Sequence, residues 1–166
     1  MTAAEFISTL REKLEVDFEE GMVSAPVREI SDAIADSLNE ILSPDETVVY
    51  GVQTASFGDE SPGALVWLLV LRTDVLQVKV EIAREQNRRT FQINYHFFPI
   101  HTLEQANVEF KYPENIRVSV KDVHLSLNFK DQVIEARSGP NLRSEALSQL
   151  LSHVFARRPR KTAQTN

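Results

Sequence analysis

The spacing of apolar residues changes twice along this chain, from helical to alternating and back to helical. Phe6, Leu10, Leu14 and Phe18 recur every four residues with Ile7 beside them, which predicts an amphipathic helix. Thr2-Ala3-Ala4-Glu5 ahead of that stripe has the form of a capping box, and Gly21 suits the left-handed position that ends a helix. A second stripe opens near Pro26, runs through Val27, Ile30, Ile34, Leu38 and Ile41-Leu42, and stops at Pro44. Two such helices joined by a short loop predict a helical hairpin over 1–44, each helix apolar on one face and acidic on the other.

From Thr47 the period drops to two. Thr47–Phe57 reads as a strand closed by the turn Gly58-Asp59-Glu60-Ser61-Pro62-Gly63. Ala64–Thr73 follows and is apolar on both faces, as a central strand covered on both sides would be. Trp67 lies within it and reads as core. Val75–Glu85 alternates, with Leu76, Val78, Val80 and Ile82 inward. Arg89–Phe98 does the same with Phe91, Ile93, Tyr95 and Phe97, and Gln86-Asn87 turns between the two. Thr102–Phe110 fits either a short helix or a strand. Ile116, Val118 and Val120 slip in phase to Val123, Leu125, Leu127 and Phe129, which predicts a bulge near Lys121-Asp122. Lys130-Asp131 turns the chain into Gln132–Arg137, and Gly139-Pro140-Asn141 ends the strands. A last helix spans about Leu142 to Arg157, with Leu147, Leu150, Leu151, Val154 and Phe155 facing the core.

The expected fold class is α+β: an N-terminal helical hairpin, about seven mostly antiparallel strands in a barrel-like or strongly bent sheet, and one C-terminal helix. The 166 residues fit one domain over 1–157, made of the hairpin (1–44), the sheet (45–137) and the closing helix (141–157), with a basic flexible tail at 158–166.

Charge adds a partition to this picture. Residues 1–46 carry 12 acidic and 3 basic side chains, while residues 47–166 carry 12 acidic and 15 basic. The overall charge of −6 argues against nucleic acid as the main partner, because phosphate neutralisation drives that binding. Arg157-Arg158-Pro159-Arg160-Lys161 is read as a solvated terminus. The chain has no cysteine, which removes thiol catalysis, thiolate metal sites and disulfides, and fits a cytoplasmic location. Its start lacks the basic and apolar regions of a signal peptide, and its longest apolar run, eight residues, is too short for membrane insertion.

The strand order with a closing helix resembles the bacterial pleckstrin-homology-like domains over residues 47–157. The likeness lies in Val70-Leu71-Arg72-Thr73-Asp74-Val75-Leu76 and in Phe98-Pro99-Ile100-His101-Thr102-Leu103-Glu104-Gln105-Ala106-Asn107-Val108-Glu109. The helical hairpin lies outside it, and the strands around Thr73 and Gln86 are longer than the family's usual ones. The resemblance implies a binding or scaffolding module rather than an enzyme. It does not imply phosphoinositide recognition, since lipid-binding members need a basic loop between the first two strands. Here that loop, Gly58–Gly63, carries two acids and no base.

A search for chemistry supports the same class. No nucleophile elbow, no clustered glycines and no paired histidines at metal-ligand spacing occur, so no catalytic residue, cofactor or metal is assigned. His96, His101 and Glu104 are near enough in sequence to converge after a turn, but a polar-face and a loop histidine account for them more simply. His153 reads as a boundary residue. The candidate interaction surface is therefore polar. Gln77, Lys79 and Glu81 face out from one strand, Gln92, Asn94 and His96 from the next, and Asp17, Glu19 and Glu20 crowd the end of the first helix.

Three readings follow in order. The first is a non-enzymatic protein-binding adaptor, with a homodimer as one arrangement. The second is a dimeric secretion or folding chaperone. The third is a small-molecule binder with His96, His101 or His124 at the mouth of a cavity.

Overall fold

The computed structural model describes residues 2, 5, 6, 9, 27–43, 45–54, 64–85, 88–111, 122–137 and 144–159. Within them the fold is α+β, with the element order α1 (Val27–Ile41), β1 (Tyr50–Thr54), β2 (Ala64–Val70), β3 (Asp74–Glu85), β4 (Arg88–Pro99), β5 (Leu103–Lys111), β6 (Asp122–Phe129), β7 (Gln132–Arg137) and α2 (Ser144–Arg157). These strands form two antiparallel sheets, β1-β2-β3-β4 and β5-β6-β7, rather than a closed barrel. The break comes at Pro99, which ends β4 and is followed by a 3-10 turn, Ile100–Thr102. The turn is fixed by the Ile100 amide on the Thr73 carbonyl at 2.8 Å and by the Thr102 hydroxyl on the Pro99 carbonyl at 2.8 Å. The segment that fitted either helix or strand is thus one turn followed by strand β5. A β-bulge falls there, between Leu103 and Gln105. The bulge expected near Lys121-Asp122 and the strand through Ile116 lie outside the described residues.

Strand β2 sits between β1 and β3, and its side chains enter two different cores. Trp67 and Leu69, with Leu71 just beyond the strand, join Ile30, Ile34, Ala35 and Leu38 of α1, with Leu76, Val78 and Val80 of β3. Leu68 and Val70 join Val75 and Phe98, the inner faces of β6 and β7, and Leu147, Leu150 and Val154 of α2. Both faces of β2 are buried, as its unbroken apolar run requires. Acidic residues keep the solvent side of α1, where Glu29, Asp36 and Glu40 are exposed.

Three apolar positions differ from expectation. Ile41 is 42% exposed, because it is the last helical residue and Leu42 takes the packing position beyond it. Phe155 is 45% exposed at the margin of the α2 stripe, beside the half-buried Leu151. Phe97 is 43% exposed while its neighbour Phe98 is buried. At that end of β4 the core lies on the second-sheet side, which takes Phe98 and leaves Phe97 on the outer strand of its sheet.

Of the first predicted helix, Glu5, Phe6 and Thr9 are described and helical. The capping box is formed: the Thr2 amide donates to the Glu5 carboxylate at 2.7 Å, and the Glu5 amide donates to the Thr2 hydroxyl at 3.2 Å. The bond from the Thr2 amide, followed by that with its hydroxyl, holds the Glu5 carboxyl below its ordinary range. Phe6 packs against the α1 core. It does so over Gly51, where a Cβ would lie 2.7 Å from the Phe6 ring and 2.9 Å from Leu69.

Gly51→Ala is therefore expected to destabilise the protein by roughly 1–3 kcal/mol through overpacking. The same change made in a Phe6→Ala background should cost less, since the nearer obstacle is gone. Urea unfolding of the four proteins checks this; equal costs in both backgrounds would show that Phe6 does not fill the space above Gly51.

Candidate functional site

The register of β3 and β4 pairs Gln77 with His96, Lys79 with Asn94 and Glu81 with Gln92. Alternation puts these six side chains on the sheet face that also carries Val75 and Phe98. One face of this hairpin is therefore core at its Val75–Phe98 end and open polar surface farther along. Sequence alternation identified the polar row, but not that it continues a buried face.

Four of the six polar side chains are joined to one another. Lys79 forms an ion pair with Glu81 along β3. The Asn94 amide donates across to Glu81 at 3.5 Å, and the Gln92 amide donates to Asn94 at 3.0 Å. Gln77 is half-buried beside the exposed His96. Toward β1 the row continues to Val66 and Thr54, both buried, with the Thr54 hydroxyl on the Val66 carbonyl at 3.3 Å. The arrangement offers a cation, a carboxylate, three amides and an imidazole on one rigid hairpin, a set suited to directional hydrogen bonding with another molecule. Asp17, Glu19 and Glu20 lie outside the described residues.

The other histidines are dispersed. His101 is exposed in the turn after β4. His153, on α2, stacks on Tyr50 of β1 with ring centres 5.2 Å apart, and the Tyr50 hydroxyl donates to the Ala146 carbonyl at 3.1 Å. That contact pins the closing helix to the first sheet, and it was not legible in the chain because the partners are about a hundred positions apart. His124 alternates with the buried Val123 and Leu125, so it points away from the core. Among the described residues no group of three or more His, Asp or Glu side chains is placed to hold a metal ion.

A second contact locks the opposite side of the polar hairpin. The Ser37 hydroxyl of α1 lies 2.5 Å from the Ala33 carbonyl and 2.5 Å from the Tyr95 hydroxyl, within hydrogen-bond reach of each. Burial pushes the Tyr95 hydroxyl above its ordinary range, and the bond to Ser37 offsets part of this. Burial likewise raises Tyr50.

The chain was also compared with known proteins. No protein-family model matches it, and no curated protein sequence does so. Among solved structures, the pleckstrin homology domain from Shewanella amazonensis SB2B superimposes with a TM-score of 0.51 at 11% identity, covering 75% of this chain and 96% of that one. The hSac2 domain of the human phosphoinositide phosphatase Sac2 gives a TM-score of 0.46 at 11% identity, covering 81% of this chain and 84% of that domain. The first match is a likeness of fold, and it agrees with the family resemblance carried by the sequence.

Two outcomes are expected. Lys79→Ala should change the melting temperature by less than about 2 °C, because an exposed ion pair contributes little. A larger loss would mean that the row supports the fold rather than lying free for contact. The second concerns alkaline pH. A raised hydroxyl favours the folded protein while it stays protonated, so this contribution holds below the unfolded value and is lost as pH rises through the folded one. Tyr95→Phe should therefore flatten the alkaline fall in stability, read from melting curves across that range. An unchanged fall would assign it to other groups.

Proposed function

We propose that this chain is a non-enzymatic binding module of pleckstrin-homology-like type, whose partner is a protein that docks on the polar face of the β3–β4 hairpin. The observation that carries this reading is the polar row on β3 and β4, in which Lys79, Glu81, Asn94 and Gln92 are linked and Gln77 and His96 share the face: directional donors and acceptors of both charges, held on two long paired strands. A hairpin backed by α1 through Ser37 and Tyr95 presents such groups with little loss of freedom on binding. The fold likeness to a bacterial pleckstrin homology domain supports the class of module.

A protein partner is favoured over a phosphoinositide headgroup on charge. The segment 58–63, between the first two strands in sequence, holds Asp59 and Glu60 and no base, and the polar face balances its single lysine with a glutamate. Strong phosphate binding uses converging cations. No described helix is long and apolar enough to cross a membrane.

The test places photo-crosslinking side chains at 77, 92 and 96 in the whole chain, with control positions at 105 and 132 on the second sheet. One protein crosslinked from the first set alone, and binding at least tenfold weaker to a purified Lys79→Glu, Glu81→Lys chain, is the expected result. Sedimentation with phosphoinositide vesicles would point instead to a lipid module. Crosslinks to a second copy through this face would make the dimer the functional unit, and no crosslinks above the controls would remove the face from consideration.

A further inference from the structure

The outer face of the second sheet holds an imidazole between two carboxylates that belong to different strands. His124 stands on β6, the middle strand. Its Nδ1 lies 3.9 Å from Glu109 on β5, and its Nε2 lies 3.9 Å from Glu135 on β7. The ring is largely covered, its side chain 24% exposed, and Nε2 is buried with no hydrogen-bond partner. Both carboxylates are more than half exposed and have room to move.

A neutral imidazole has one N–H donor and one lone-pair acceptor, so it offers a donor to one carboxylate and a repelling lone pair to the other. A proton taken from solvent onto the free nitrogen makes both nitrogens donors, each facing a carboxylate. The carboxylates then need to close by only about 1 Å to reach charge-assisted hydrogen-bond distance. Among the described residues, the other charged groups near the ring are these. On β5, Lys111 competes for Glu109 from 3.9 Å. On β7, Arg137 stands opposite His124 in register. Along β6, Asp122 lies two residues away on the same face. Helix α2 packs against the opposite, core face of the sheet.

We propose that His124 is a proton-operated clasp, which on protonation ties both edge strands of the second sheet to its centre through Glu109 and Glu135. The neutral ring leaves β5 and β7 without this tie to β6 on the outer face, while the backbone ladders and, for β7, the core packing of Ile134 and Ala136 remain. Strand β5 is where this matters most, since its last five residues, Asn107 to Lys111, are all exposed and none belongs to the core.

Hydrogen exchange on the whole chain tests the clasp, comparing about pH 5.5 with about pH 8, on either side of ordinary imidazole titration, after correction for the intrinsic rate. Protection of β5 and β7 amides is expected to be roughly threefold greater at the lower pH, the scale of partly exposed ion pairs. His124→Gln should abolish that difference. Glu109→Gln should abolish it in β5 and keep it in β7, and Glu135→Gln should do the reverse. Because both glutamates are exposed, these variants carry the test even where His124→Gln does not fold. Equal corrected protection at the two pH values in the unaltered chain overturns the proposal, as does a pH response that survives His124→Gln or survives in the strand whose glutamate was removed.

Discussion

The burial of both faces of β2 is the constraint on which the rest of the structure depends. A strand whose alternate side chains are Trp67 and Leu69 on one side and Leu68 and Val70 on the other needs a cover on each. Helix α1 supplies one, and the second sheet with α2 supplies the other. At about 25 cal/mol per Å² of apolar surface, each fully buried leucine contributes roughly 1.5–3 kcal/mol. An exposed ion pair such as Lys79–Glu81 contributes less. Much of the architecture, including the chain break at Pro99 and the return of the final helix to β1, serves to bring two separate layers onto this one strand.

That division also explains how a polar surface comes to lie on a core face. The second sheet and α2 cover the first sheet around Val70, Val75 and Phe98, and Gln77 and His96 mark where the cover stops. Beyond them the β3–β4 hairpin keeps its full backbone ladder and its α1 backing. It is rigid because one side is core, and available because the other side is not.

Much of this was legible in the chain. Alternation of polarity located the strands, since half-buried strands must alternate and the doubly buried β2 must not. Four-residue spacing gave α1, and the capping box at Thr2 and Glu5 was readable because all its members lie within four residues. What alternation does not carry is the partner. Phe6 over Gly51, Tyr50 on Ala146 and His124 between Glu109 and Glu135 each join residues far apart or on three strands at once, so they follow from register and docking. The misplaced aromatics have the same origin. Phe97 and Phe98 look equally suited to burial, and only the position of the second sheet chooses between them. As for the candidate site, the six polar residues were readable as sharing a face, while the linkage of Lys79, Glu81, Asn94 and Gln92 was not.

Both sheets are simple meanders in which every strand pairs with its neighbours in sequence. Their hairpins close locally, which favours early formation because little loop entropy opposes them. The contacts between the layers are of another kind, since Val52, Leu68 and Val70 meet residues from Leu103 to Val154. During synthesis the first meander is complete while the chain that covers it is still to be made. A newly formed β1–β4 sheet thus emerges with a sticky face of Leu68, Val70, Val75 and Phe98, and its protection until the second meander arrives is a matter of timing.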